Sequence, residues 1–337
     1  MYLISPKVPQ YKANLHSHST LSDGSLTPVE LRDMYKAQGY SILAITDHEY
    51  PNDHTSLGDD ELLMLTGYEA YIRPSPDCRY DVYSPEVHLN LFARDPHNTT
   101  LICYNKACCK YIPEEKQADI PRAGSERTRA YNREYINEFI RTARDNGYIV
   151  SYNHPYWSME SEADIIATEG CFSMEMVNYN SYVSSRLEHN GALYDRFLSA
   201  GKRIFCHGAD DNHNRFPAGH PGFDSFGGFT MIMADSLSYD SIFSAMESGN
   251  MYSSMGPEIR SAEYRDGTVH VECSPATAII AYTGRKHPKH FLAPLGETVT
   301  SADIEIDGDA RYLRLSVVDR EGRWADTRGY SRDELGL

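Results

Sequence analysis

Residues 12–48 read KANLHSHSTLSDGSLTPVELRDMYKAQGYSILAITDH, and this stretch sets the fold class. A short run reaches Asn14-Leu15-His16 and gives way to a polar loop, Ser17 to Ser25. Thr27 followed three residues later by Glu30 is the pair a capping box needs. Pro28 falls at the first helical position, where its missing N–H leaves no bond unmade. Leu26 and Leu31 are spaced to pack as a hydrophobic staple. The helical pattern runs through Met34 and Tyr35 and stops at Gly39, which accepts the left-handed conformation that ends a helix. Ser41 to Thr46, apolar without a break from Ile42 to Ile45, then reads as a buried strand. Strand, helix and strand at this spacing make a βαβ unit.

Working outward, further strands are predicted at Leu62–Tyr68, Val87–Ala93, Tyr148–Asn153, Phe172–Asn178, Arg203–Gly208 and Gly228–Ala234. A helix from Glu126 to Asn146, ended by Gly147, separates two of them. Residues 97–125 are polar and irregular and read as an excursion. The pattern is α/β, with one domain over residues 1–255. Past Gly256-Pro257 it changes to short alternating runs, Thr268–Cys273, Ala278–Tyr282, Ala302–Ile306 and Tyr312–Val318. Residues 256–337 therefore read as a small all-β, sandwich-like domain, with Tyr282, Phe291, Tyr312, Trp324 and Tyr330 as its core.

The chain of 337 residues is 41% hydrophobic, enough for a sizeable core, and carries a formal net charge of −16. That charge excludes a surface built to grip duplex nucleic acid. It still admits a nucleotide into a cleft lined by cations. The seven cysteines are odd in number and irregularly spaced, and they read as mostly reduced thiols of a cytosolic protein. Cys103, Cys108 and Cys109 are close enough in sequence for a metal or redox site. No leader and no apolar run of membrane length is seen, so the expectation is a soluble cytoplasmic protein with no membrane partner. Nothing in the chain fixes its oligomeric state.

The chemistry gathers at strand ends. His16 and His18 leave the first strand, with Asp23 in the same loop. Asp47-His48 ends the second and Glu69 the third. His88 lies within Val87-His88-Leu89-Asn90-Leu91, on the face opposite the apolar residues. His154 follows Tyr152-Asn153, and Asp211 and His213 follow Arg203–Gly208. Taken singly, each histidine reads as a surface residue, Asp23-Gly24 as a turn and Asp47 as a helix N-cap. Taken together, imidazoles and carboxylates at the C-terminal ends of parallel strands converge on one mouth, and they are the ligand set of zinc, manganese and iron.

The segments Asn14–Gly24, Leu43–His48, Gly67-Tyr68-Glu69, Asn153-His154-Pro155 and Gly208–His213 resemble the polymerase-and-histidinol-phosphatase (PHP) family of metal-dependent phosphoesterases. The resemblance spans roughly residues 12 to 250 and implies a distorted seven-stranded (β/α) barrel holding two or three divalent metal ions (Mn, Zn or Fe). Carried onto this chain, it gives His16, His18, Glu69 and Asp211 to a first metal, Glu69, His88 and His154 to a second, and Asp23, His48 and His213 to a third. Its Asp-X-His spacing selects Asp211 over Asp210, which becomes a supporting partner, as does Asp47. Some relatives carry histidine where this chain has Asp23.

The implied activity is hydrolysis of a small organic phosphate or nucleotide by a metal-bridged hydroxide, with Asp211 and His213 at the reacting centre and Arg215 as a phosphate clamp. Glu175 and Asn178 line the cavity or serve it by hydrogen bonding, and His207 supports a ligand or packs. Hydrolysis of a carboxylic or carbamic ester on the same metals, and a non-catalytic metal-holding module, are the alternatives.

Overall fold

The opening unit forms as read. In the computed structural model, which describes residues 1–337, strand Gln10–Asn14 leads through a loop into helix Pro28–Ala37 and strand Ile42–Ala44, and the two strands pair in parallel. The Thr27 hydroxyl accepts from the Glu30 N–H at 3.3 Å, and the Glu30 carboxylate accepts from the Thr27 N–H at 2.8 Å. The box thereby satisfies donors that a helix start otherwise leaves open. Leu31 and Tyr35, one turn apart, are the buried face and pack with Leu43, Ile45 and Met64.

Strand Leu63–Leu65 continues this sheet in parallel. On the other side of Gln10–Asn14 come Phe229–Met233 and then Met251–Ser254, each antiparallel to its neighbour. A second sheet holds Phe205–Ala209, Ser173–Asn178 and Tyr148–Tyr152 in parallel. It continues through Val87–Ala93, antiparallel to both its neighbours, to Gly67–Ile72. The sheets meet at single bridges, Ser17 with Asn212 and His48 with Glu69. The architecture is mixed α/β with a small C-terminal β region. The expected barrel is not present as one closed hydrogen-bonded sheet.

Two departures from the sequence reading have local causes. The run Leu62–Tyr68 is not one strand but a short one, Leu63–Leu65, and the start of another, Gly67–Ile72, in the other sheet. The chain crosses at Gly67, where a Cβ would lie 2.6 Å from the Leu91 carbonyl oxygen. Glu69 therefore sits in the body of a strand rather than at its end. The helix expected from Glu126 begins only at Arg133, capped by the Asn132 side chain. Ahead of it, Arg129 turns inward, is buried against Glu49 and donates to the Tyr71 carbonyl.

In the C-terminal part, Ile259–Arg265, Thr268–Ala276 and Val299–Glu305 form an antiparallel sheet whose edge is the N-terminal strand Tyr2–Ile4. Ala278–Tyr282, Lys289–Leu292, Tyr312–Val318 and Trp324–Thr327 instead extend the first sheet, through pairing of Trp324–Thr327 with Met251–Ser254. Alternation places Val269, Val271 and Cys273 in the shared core with Leu313, Leu315 and Val317. Tyr312 and Tyr330 are buried as expected, but Phe291 is 40% exposed and Trp324 lies against His189, with ring centroids 5.0 Å apart.

Most of the seven cysteines are free thiols, as read, but one pair is not. Cys78 and Cys108 are joined in a disulfide, while Cys103, Cys109, Cys171, Cys206 and Cys273 are free. Residues 73–86 and the 97–125 excursion fold against each other around Tyr71, whose hydroxyl donates to the Cys108 carbonyl at 2.6 Å. Cys108 thus faces Cys78 and not Cys103 or Cys109, and the proposed three-cysteine site does not form. Disulfides belong to oxidising compartments, so the cysteines no longer support a cytoplasmic address. No helix is long and apolar enough to cross a membrane.

Candidate metal centre

The segments leaving Gln10–Asn14, Ile42–Ala44, Tyr148–Tyr152 and Phe205–Ala209 bring His16, His18, Asp23, His48, His154, Asp211 and His213 to one place, and Glu69 and His88 reach it from the bodies of their strands. The ligand atoms form three overlapping groups. In the first, His16 Nε2 lies 3.2 Å from both Glu69 Oε1 and Asp211 Oδ1, and His18 Nε2 lies 3.0 Å from Asp211 Oδ1. In the second, Glu69 Oε1 is 3.1 Å from His88 Nδ1 and 3.3 Å from His154 Nε2, and Glu69 Oε2 is 2.9 Å from His48 Nδ1. In the third, Asp23 Oδ1 faces His213 Nε2 at 3.3 Å, His48 Nε2 at 3.8 Å and His18 Nδ1 at 4.0 Å. His18 and His48 each present one ring nitrogen to each of two groups, a sharing that the spacing of the sequence did not suggest.

These residues fit divalent cations. Asp23 Oδ1, His48 Nδ1, Glu69 Oε2 and Asp211 Oδ1 are all buried without a hydrogen-bond partner. Buried polar atoms are almost always satisfied, so four orphans turned to one space call for an occupant. The charges agree. Burial alone would push the Glu69 carboxyl up, but the charges of His16, His88 and His48 outweigh it and hold it well below the usual carboxylate range. Burial would likewise depress His18, yet hydrogen bonds and charge from Asp211 and Glu69 raise it to about 10. Buried carboxylates demand this much positive charge, and imidazole and carboxylate oxygen are ligands of first-row divalent metals.

Supporting bonds set the rings. Glu175 Oε1 accepts from His16 Nδ1 at 2.7 Å, leaving Nε2 with its lone pair toward the cluster. Glu175 Oε2 accepts from the His154 N–H at 2.7 Å and from Asn178 Nδ2 at 2.8 Å, and Asn178 also donates to Asp211 Oδ2 at 3.1 Å. Glu175 and Asn178 therefore serve the cluster by hydrogen bonding, and neither lines the cavity. Asp47 accepts from the Ser19 N–H and from the Ser19 and Ser22 hydroxyls, which shapes the loop between His18 and Asp23. Asp210 accepts from the N–H groups of Phe226, Gly227 and Gly228, and burial still pushes it up to about 7. His207 is buried beneath the strand ends, 3.0 Å from the Ser173 hydroxyl. Glu49, His154 and Asp211 have φ of +52°, +25° and +52°. Such backbone in non-glycine residues costs on the order of 1–3 kcal/mol each and persists where the surroundings enforce it.

A cavity of about 350 Å³ opens onto the cluster. Arg215 stands at its rim, 64% exposed, with Nη2 3.4 Å from Asp23 Oδ2. Lys110 and Tyr111 from the excursion, Arg73 and Trp157 also line it, and none of the four was picked out from sequence. Asn153, which donates to Glu69 Oε1 at 2.7 Å, was also overlooked. One signal was available: Glu86 lies two residues before His88, hence on the same strand face, and its Oε1 is 3.3 Å from His88 Nε2.

No protein-family profile and no curated protein matches the chain. Among solved structures it is similar to a two-domain protein from Bacteroides vulgatus containing a predicted PHP-like metal-dependent phosphoesterase (13% identity, 96% of this chain and 87% of the other, TM-score 0.45). It is also similar to a candidate metal-dependent phosphoesterase from Bifidobacterium adolescentis (16% identity, 65% and 94%, TM-score 0.38). A third is an amidohydrolase from Chromobacterium violaceum, solved with bound sulfate and no metal (18% identity, 60% and 87%, TM-score 0.38). Likeness at this level decides nothing about chemistry, which has to come from the cluster itself.

Proposed function

We propose that the protein is a metal-dependent hydrolase of the PHP type acting on phosphate esters. The observation that carries this reading is the set of four orphaned buried ligand atoms, all turned to one space beneath a cavity with cationic side chains at its rim. His16, His18, Glu69 and Asp211 would hold one cation, Glu69, His88 and His154 a second, and Asp23, His48 and His213 a third. Divalent cations supply Lewis acidity toward phosphoryl oxygens, neutralise charge that builds in the transition state and acidify water.

The chain's own groups do the rest. Lys110 and Arg215 offer cationic donors to the outer oxygens of a phosphate. Arg73 is less free, because its guanidinium is committed to Glu86 and the Cys78 carbonyl. Asp211 keeps Oδ1 toward the reacting space while Asn178 holds Oδ2, so Oδ1 is the atom placed to take a proton from the nucleophile. His213 Nδ1 lies 2.9 Å from the Asp211 carbonyl oxygen, which fixes its ring and turns Nε2 inward. The pairing of multiple cations with donors for terminal oxygens suits phosphoryl transfer better than attack on a neutral carbonyl.

The deciding experiment is a panel of phosphate, carboxylate and carbamate esters assayed with manganese-loaded protein. Turnover of phosphate esters is expected, with kcat falling when Asp211 becomes Asn. Turnover confined to carboxylate or carbamate esters would sink the phosphoesterase reading.

A further inference from the structure

A groove of about 730 Å³ opens beside the metal-lined cavity, and the two share the rings of Tyr80 and Trp157. Trp157 is the wall between them. Its ring meets His88 and His154 edge to face, at 5.1 Å and 4.7 Å, and lies nearly parallel to Tyr80, at 6.3 Å and 10°. Beyond it Tyr156 and Met159 line the groove while 52% and 56% exposed, and Tyr80 is 50% exposed. Large apolar side chains left in water next to a polar reaction cavity mark a place where an apolar group is to be received. Tyr80 is held in position, because Cys78 is tied to Cys108 and Arg73 pairs with Glu86 at the two ends of its loop.

The two compartments differ in charge. The groove is lined by Asp81, Glu86, Glu160 and Glu162 and by no lysine or arginine. Glu86 and Glu160 are paired with Arg73 and Arg133, and Glu162 reaches Arg196, but Asp81 belongs to no ion pair. The cavity over the ligand cluster carries Arg73, Lys110 and Arg215 beside the carboxylates Asp23, Glu69 and Asp211, whose charge the proposed cations would offset. One space thus favours an anion and the other a flat ring without negative charge.

We propose that the groove is the subsite for the organic part of the substrate, and that it takes a flat aromatic or apolar group bearing no negative charge. This rests on the reading that the metal-lined cavity receives the acid group. It selects aryl or arylalkyl esters over short alkyl esters and over substrates with a second anionic arm, such as nucleoside diphosphates.

The test is calorimetric binding to manganese-loaded protein of two matched pairs, benzylphosphonate with methylphosphonate and phenylacetate with acetate. The ring is expected to tighten binding about tenfold, a decade being about 1.4 kcal/mol. Tyr80→Ala and Tyr156→Ala should each cut that ratio several-fold. A carboxylate in the para position of benzylphosphonate should weaken binding, and Asp81→Asn should relieve part of the loss. A ring effect in the phosphonate pair, or in both pairs, supports the groove. A ring effect in the carboxylate pair alone supports the groove and overturns the phosphate reading. No ring effect in either pair, or an effect that both tyrosine variants leave intact, overturns the groove.

Discussion

Glu175→Gln isolates what holds the His16 ring. The substitution keeps size and shape and removes one charge and one acceptor. In the native site, Oε1 accepts from His16 Nδ1 at 2.7 Å, and Oε2 accepts from the His154 N–H at 2.7 Å and from Asn178 at 2.8 Å. A glutamine must turn its NH₂ toward one of these sides. Facing His154 and Asn178, it opposes two donors. Facing His16 Nδ1, it opposes one, so this orientation prevails. His16 can then answer only by moving its proton to Nε2, which removes the lone pair that faces Glu69 and Asp211. A charge-assisted hydrogen bond contributes about 1.5–3 kcal/mol, so metal affinity at the first group should fall by roughly 10- to 100-fold, the range typical when a ligand's outer partner is lost. Manganese affinity measured by chelator competition, with thermal unfolding as a check that the fold persists, reads this directly. A folded Glu175→Gln protein with native affinity would show that Glu175 does not set the His16 tautomer.

Four other outcomes follow from the same geometry. A Cβ on Gly24 would lie 2.1 Å from the His18 carbonyl oxygen, so Gly24→Ala must push apart the loop joining His18 to Asp23; metal content should drop, and a variant with full metal content would mean that His18 is not displaced. Asp23→Ala removes the carboxylate shared by His48 and His213 but no atom of the first group; one metal equivalent should be lost, and equal loss of every equivalent would contradict three separable groups. Arg129→Met strands the Glu49 carboxylate, buried beside His48, and should lower unfolding free energy in urea by about 3–5 kcal/mol, whereas Glu49→Gln with Arg129→Met should lose much less. Manganese at 100 times its dissociation constant should stabilise the fold by about 2.7 kcal/mol, a rise of several degrees in Tm that Glu69→Ala abolishes; an unchanged Tm would argue against a bound cation.

What could be read from sequence was what short segments determine by themselves. His16 and His18 flank Ser17, whose bridge to Asn212 carries the pairing past the end of strand Gln10–Asn14, and the capping box and Gly39 set the helix that follows from local sequence alone. The strand pairings across the two seams were not legible, because they depend on partners tens or hundreds of residues away. The run Leu62–Tyr68 carries one apolar pattern through a change of sheet, and only the approach of Leu91 to Gly67 reveals the crossing. The same limit hid Arg129. Nothing about an arginine in a polar stretch signals burial; its place follows from Glu49, which is itself fixed by following His48. Glu49 Oε1 accepts from the Tyr71 N–H at 2.7 Å, and Arg129 donates to the carbonyl of that residue. Strand Gly67–Ile72, which carries Glu69, is thereby clamped to the segment that carries His48 by a charge pair whose second member comes from beyond the excursion. The candidate ligands could be named from their own neighbourhoods, but their mutual distances are set by pairs like this one. That is why the double duty of His18 and His48, each facing two of the three groups that the family resemblance implied, became visible only once the chain was folded.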